Sequence, residues 1–229
     1  MKLLLFDIDG TLLHAGHAPK HAVNLAFEEL FGVTDAFGET VTNGRTDPLI
    51  LHDIAVRTLD RDLSADEYHA VCKLYCTYLP EALRSVPGFH VLPGVRELLE
   101  ECSAHPQILL GLETGNIEGG ARLKLDHGKI SHYFAFGGFG SDSSERADII
   151  RAAIERARNA LNVTDLEAQN IFVFGDAPQD VTAANLLGLN SIAVTTGRFC
   201  KEDLSTYGPM LILEDLRDRK RILDFVVGD

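Results

Sequence analysis

The chain has no tryptophan, two methionines and four cysteines among its 229 residues. The cysteines, Cys72, Cys76, Cys102 and Cys200, follow no zinc-ligand spacing, and the chain is too long for a disulfide-stapled scaffold. Free thiols in a reducing compartment are the reading. No block of Lys and Arg occurs, and 21 basic against 34 acidic residues leave a net charge of −13. That balance excludes nucleic acid and anionic lipid as expected partners. It leaves room for a phosphorylated small molecule, because a bound divalent cation reverses the local field. Long apolar runs are also missing. The first residues carry one Lys and a short apolar run ending in two acids, which is neither a signal peptide nor a membrane span. A soluble cytoplasmic protein is the expectation. Repeats and low-complexity segments are absent. What is present is a 45% hydrophobic content, enough for a packed interior. The length suits one large domain or a core with a smaller companion.

The most informative stretch is Lys2 to Leu13. Leu3 to Phe6 is a short unbroken apolar run, as in a central strand covered on both faces. It leads into Asp7, Ile8, Asp9 and Gly10. Ligands in a parallel α/β sheet bind at the carboxyl ends of strands. In an extended segment Asp7 and Asp9 leave the same side. Carboxylates so close repel unless a cation lies between them or one takes a proton. A bare Asp-x-Asp would be a solvated turn. The whole run, strand then Asp-x-Asp-Gly-Thr-Leu, points to a hard metal ion, a nucleophile and an acid/base.

After Leu13, His14 to Lys20 reads as a linker. Three helical patterns follow with no strand between them. They cover about Pro19 to Phe31, stopped by Gly32, then Thr46 to Leu59, then a segment from Ser64, an N-cap with Glu67 three residues on. Cys72 and Cys76, one turn apart, read as core packing. His14, His17 and His21 read as exposed linker and helix-start residues. Ser85 to Gly94 is a second hinge. Beyond it strands and helices alternate. A helix spans Val95 to Cys102, and a strand Ile108 to Leu112. A helix follows over Gly119 to Asp126, then a short strand over Tyr133 to Phe136. Asp142 and Glu145 form an expected capping box for a helix with Ile149, Ile150, Ala153, Ile154 and Ala157 inward. The strand Ile171 to Phe174, a helix from Asp180 to Leu187, the strand Ser191 to Val194 and a helix over Arg217 to Val226 complete the series. Such alternation predicts an α/β fold, a parallel Rossmann-like sheet with helices on both faces. The helical block is then an inserted cap. The expected division is residues 1–14 and 86–229 for the core and 15–85 for the cap.

Several strands end in polar residues. The first delivers Asp7 and Asp9, a second Thr114 followed by Gly115 and Asn116, and a later one Asp176 and Asp180. Carboxylates, a hydroxyl and a basic group together describe a Mg²⁺ phosphoryl-transfer site, since Mg²⁺ prefers oxygen ligands.

Asp7-Ile8-Asp9-Gly10-Thr11-Leu12, Thr114-Gly115-Asn116 and Gly175-Asp176-Ala177-Pro178-Gln179-Asp180 resemble motifs I, II and IV of the haloacid dehalogenase superfamily. The resemblance covers nearly the whole chain. Leu92-Pro93-Gly94-Val95 is similar to the family's re-entry from cap to core. The helical insert resembles the C1 cap of phosphoglycolate-phosphatase-like members. The resemblance implies a phosphomonoester hydrolase acting on a small metabolite. Asp7 would be the nucleophile that forms an aspartyl phosphate, and Asp9 the acid/base. Mg²⁺ would be held by Asp7, the Asp9 backbone carbonyl, Asp176 and Asp180. Thr114 would hold a phosphoryl oxygen, with Gly115 and Asn116 assisting.

Motif III departs from the family pattern. Arg146 stands where a Lys is usual and would supply the cation that compensates phosphate and Asp7. Lys129 in a loop and Lys124 on an expected helix surface compete for this role. Dehalogenases lack an acid at the position of Asp9, so Asp9 favours phosphate chemistry. Arg45, in a loop between two cap helices, could meet a second anionic group on the substrate. Alternatively, Thr46 is simply a helix N-cap. A mutase of the β-phosphoglucomutase type and a non-catalytic binding protein on the same fold are the alternative functions. Oligomeric state is not encoded in any motif.

Overall fold

The computed structural model describes residues 1–161 and 166–228. Positions 162–165 and 229, which the sequence assigns to the core, lie outside the described residues. Strand β1 (Lys2–Phe6) is central. It is followed by β2 (Leu13–Ala15) and by the helices α1 (Ala18–Phe31), α2 (Asp47–Leu59) and α3 (Ala65–Ser85). The chain continues through β3 (Phe89–Val91), α4 (Val95–Ala104), β4 (Ile108–Thr114), α5 (Glu118–His127), β5 (Gly137–Phe139) and α6 (Arg146–Leu161). It ends with β6 (Ile171–Gly175), α7 (Pro178–Leu186), β7 (Asn190–Val194), α8 (Lys201–Ser205), β8 (Leu211–Leu213) and α9 (Arg219–Leu223). Six strands form a parallel sheet in the order β5-β4-β1-β6-β7-β8.

Alternation along β1 explains the layers. Leu4 and Phe6 enter one apolar cluster with Leu98 and Leu99 of α4 and Ala121 and Leu125 of α5. Leu3 and Leu5 enter another with Ile150 and Ala153 of α6 and Ala183 and Ala184 of α7. Successive strand residues face opposite sides, so the run is apolar throughout because both faces are covered. The chain turns from β1 to β4 on one side and reaches β6 on the other. The carboxyl end of β1 is therefore a topological switch point, where open α/β sheets bind ligands.

The helical insert follows its local signals. Gly32 ends α1 with φ 67°. Ser64 and Glu67 make the expected capping box on α3. Helices α1 and α3 pack together, and α3 packs on α5. Among the described residues no helix is long and apolar enough to cross a membrane.

Four expectations need correction. The linker from His14 begins as β2, which pairs antiparallel with β3 in the register His14 to His90. Three-residue strands are too short to leave a periodic signal. Tyr133 to Phe136 is not a strand: Ser131–Tyr133 is a 3₁₀ turn, and pairing with β4 starts at Gly137. Asp142 does not cap α6. Its carboxylate accepts from Phe139 N at 2.9 Å and from both terminal nitrogens of Arg156 at 2.6 and 2.7 Å. The final helix starts and ends two residues later than expected, running as α9 and then one π turn over Asp224–Gly228. The short α8 and β8 have no counterpart in the sequence reading.

The glycines of β5 have a packing cause. A Cβ on Gly138 would lie 1.9 Å from the carbonyl oxygen of Ile149, so the strand and α6 touch backbone to backbone. Gly138→Ala is expected to cost at least about 1–3 kcal/mol, the usual penalty of overpacking. Urea titration should show a lower midpoint with an unchanged slope.

Candidate active site

The sheet's carboxyl edge gathers the predicted acids. Asp7 follows β1 and donates its N–H to Phe174 O at 2.9 Å. Asp176 follows β6, and Asp180 lies in the first turn of α7. One carboxylate oxygen from each of these three residues lies within 4.8 Å of the others, and all three side chains are buried. Asp9, at 40% side-chain exposure, points elsewhere and is not in this trio.

Arg146 opens α6 and stands among the acids. Its guanidinium lies 3.6 Å from Asp7, 3.4 Å from Glu113 and 3.1 Å from Asp180. The contact from Nε to Asp180 Oδ1 is a charge contact without hydrogen-bond alignment, so both atoms remain without a directed partner. Burial opposes the charge on Arg146, but Asp180, Glu113 and Asp7 outweigh it and hold the proton more firmly than usual.

Glu113 belongs to none of the sequence motifs. It is fully buried at the end of β4, and its Oε1 has no partner. The available signal was a charged residue closing an apolar strand. Burial raises its carboxyl well above the ordinary range, with Arg146 opposing.

One buried cation does not balance these acids. Burial, opposed by Arg146 and reinforced by Asp180 and Asp9, pushes Asp7 up to about 7. Burial, reinforced by Asp7 and Asp180, pushes Asp176 up to about 8. Burial raises Asp180 as well, against Arg146. A hard, all-oxygen donor set whose members resist ionisation beside one another is chemically suited to a divalent cation such as Mg²⁺.

A second polar group lies beside the first. Thr114 Oγ1 accepts from Asn116 N at 3.3 Å and from Asn116 Nδ2 at 2.8 Å, which leaves its own proton to donate. Asn116 Nδ2 also donates to Asp9 Oδ2 at 2.8 Å. Lys124 corrects the sequence reading. It is not on the helix surface but 3% exposed, and Nζ donates to Asp9 Oδ2 at 2.6 Å and to Asn116 Oδ1 at 2.5 Å. Lys129, the other candidate, is exposed.

The helical insert reaches this edge through the start of α2. Thr46 occupies the N-cap position, yet its hydroxyl makes no cap bond and is buried without a partner. Asp47, the next residue, does the joining. Its N–H donates to Gly115 O at 2.7 Å, and its Oδ2 accepts from Ile117 N at 2.8 Å. Burial pushes Asp47 up to about 6, with Lys124 and the Ile117 N–H opposing. Arg45 pairs with Asp53 at 2.7 Å. A cavity of 570 Å³ lies between the insert and the sheet edge, with Asp7, Asp9, Arg146, Asp176, Lys124 and Arg45 in its wall. His14 and His17 also line it; His14 is half-buried in β2, while His17 is the exposed residue that precedes α1, as expected of a helix start.

The raised carboxyl groups fix a pH dependence. A group whose folded-state value exceeds its unfolded value of 3.8 binds its proton more tightly in the native state. Native stability therefore falls as pH rises between about 4 and 8. Calorimetric melts in chelator should show this decline, and Asp7→Asn should flatten it. Added Mg²⁺ should raise the melting temperature more at pH 8 than at pH 5, because ionised ligands bind it better.

Comparison with known proteins gives the family and the fold. A family model described as haloacid dehalogenase-like hydrolase matches residues 4–194. A phosphoglycolate phosphatase of Rhodospirillum rubrum is 26% identical over 219 residues, spanning 93% of this chain and 87% of the relative. The crystal structure of a hydrolase from Pseudomonas syringae superposes with a TM-score of 0.69 at 18% identity and 98% coverage of both chains. CbbY from Rhodobacter sphaeroides, solved in complex with phosphate, gives a TM-score of 0.69 at 19% identity, covering 95% of this chain and 96% of that one. These two structures speak for the fold. The family match runs from within β1 to the end of β7, and on that match the chain belongs to the haloacid dehalogenase-like hydrolases.

Proposed function

We propose that this hydrolase is a Mg²⁺-dependent phosphatase that cleaves a small phosphomonoester through an aspartyl phosphate on Asp7. The observation that carries the reading is Asp7 at a cavity wall, 3.6 Å from the Arg146 cation and grouped with Asp176 and Asp180. Asp7 attacks phosphorus in line, and the phosphoester oxygen departs. Asp9 protonates that oxygen and then takes a proton from the water that hydrolyses the aspartyl phosphate. Thr114 donates its hydroxyl proton to a phosphoryl oxygen, and the backbone around Gly115 and Asn116 assists. Arg146 offsets the charge of phosphate and Asp7 together, as a fork rather than a point donor. Asp7, the Asp9 backbone carbonyl, Asp176 and Asp180, the last directly or through water, would hold the metal. Bound Mg²⁺ would reduce the repulsion between carboxylate nucleophile and phosphate dianion.

Residues 15–85 act in this reading as a cap over a core of 1–14 and 86–229. Arg45 in that cap meets a second anionic group once released from Asp53. The phosphoglycolate phosphatase relative makes phosphoglycolate, which carries such a group, the first compound to try. Four unpaired thiols fit a reducing, cytoplasmic setting.

The test is phosphate release from p-nitrophenyl phosphate, phosphoglycolate, glycerol phosphate and sugar monophosphates, with Mg²⁺ and with chelator. Turnover should require Mg²⁺ and fall at least roughly 10⁴-fold in Asp7→Asn, the scale of losing a nucleophile. Arg146→Lys should lower kcat by about 10²-fold, as when one transition-state donor is displaced. Arg146→Ala is the poorer probe, since leaving buried acids uncompensated costs about 3–5 kcal/mol of stability. Absence of turnover with Mg²⁺ still bound would mark a non-catalytic member.

A further inference from the structure

Asp9 must deliver a proton to one atom, yet it is the most exposed acid of the site. A carboxylate on a loop after a strand end rotates freely unless something holds it. Two donors do so here, and both fall on the same oxygen. Lys124 Nζ reaches Asp9 Oδ2 at 2.6 Å, and Asn116 Nδ2 reaches it at 2.8 Å. Among the described residues no hydrogen bond engages Oδ1.

The holders are themselves fixed. Lys124 projects from α5 with its side chain 4% exposed, and its ammonium is bound by Asn116 Oδ1 at 2.5 Å. Asn116 is oriented by chemistry. Its Oδ1 faces an ammonium, which only donates, and its Nδ2 faces a carboxylate and the Thr114 hydroxyl oxygen. The reverse orientation would oppose donors to donors and acceptors to acceptors. A Lys with this much burial and two directed bonds is not a surface residue lying inward by chance.

We infer that Lys124 is the positioning residue of the acid/base. Together with Asn116 it pins Asp9 by Oδ2 and leaves Oδ1 as the proton-transfer oxygen. This rests on the phosphatase reading and divides the work of the site's two buried basic residues. Arg146 serves Asp7 and the phosphate, and Lys124 serves Asp9 and the leaving group. In the step concerned, the bond from phosphorus to the ester oxygen breaks as the bond to Asp7 forms. The proton on Asp9 passes to the departing alkoxide, leaving an alcohol and an Asp9 carboxylate. An alkoxide needs that proton. The p-nitrophenolate ion is stable enough to leave without it.

The experiment compares kcat/KM, which reports steps up to departure of the leaving group, for two ester classes. The probes are phosphoglycolate and glycerol phosphate as alkyl esters and p-nitrophenyl phosphate as the aryl ester. Lys124→Met should lose roughly 10²–10⁴-fold on the alkyl esters, the span of general-acid catalysis, and change little on the aryl ester. In an Asp9→Asn background the same substitution should add almost nothing. Lys124→Gln, which keeps an N–H donor group and no charge, serves if the Met variant does not fold and should lose less on the same esters. Equal losses on both ester classes with a raised KM would make Lys124 a phosphate-binding cation and overturn the assignment. Additive losses with Asp9→Asn would also overturn it. Wild-type turnover confined to the aryl ester leaves no alkoxide to protonate and ends it. Turnover of no ester at all would instead remove the phosphatase reading beneath it.

Discussion

Repulsion among buried carboxylates is the constraint on which the structure depends. Asp7, Asp176 and Asp180 are brought together from two strand ends and a helix start, and Glu113 stands behind them. In so dry a place like charges cannot ionise together without compensation. Arg146 supplies part of it. The remainder falls to protons on the carboxyl groups or, in the proposed reaction, to a divalent ion. A site of this kind holds its own electrostatic demand in reserve. The fold fixes the backbone positions of the acids by strand pairing, with β1 held between β4 and β6.

The sheet makes that crowding tolerable. Leu3 to Phe6 are fully buried, with alternate side chains in two separate apolar clusters. The hydrophobic stabilisation of so enclosed a strand, roughly 25 cal/mol per Å² of apolar surface removed from water, anchors the segment that presents Asp7. Motif spacing alone did not decide the geometry. Parallel pairing of β1 with both β4 and β6 put Thr114, Glu113 and Asp176 on one edge.

Much of this was legible in the residues. The apolar run before Asp7, the strand–helix alternation and the polar strand ends gave the sheet and its acids. Arg146 comes from the motif III resemblance, and the structure buries it among Asp7, Glu113 and Asp180. Lys124 was misjudged for a physical reason. Helical periodicity gives a face, and a Lys on a face is normally solvated. Its burial depends on α3 and the start of α2 covering that face, which is tertiary information. Glu113 and Asp47 were overlooked for the same reason, since their partners lie on elements distant in sequence. The strands β2, β3 and β8 were too short for a period to be read. The glycines of β5 give no strand signal, because a strand pressed against a helix backbone uses the same residue as a bend.

The chain enters and leaves the helical insert where Gly16 and Gly88 cross. Both are in the left-handed region, with φ 61° and 108°, and a Cβ on Gly16 would lie 2.6 Å from Pro87 O. Only bare backbone fits there. The two crossings therefore act as a spacer of minimum thickness, and the cavity wall at these positions is main chain rather than side chain. Adaptation of this enzyme to bulkier molecules is then closed to gradual change at these two positions, and has to proceed through the side chains of the roof instead.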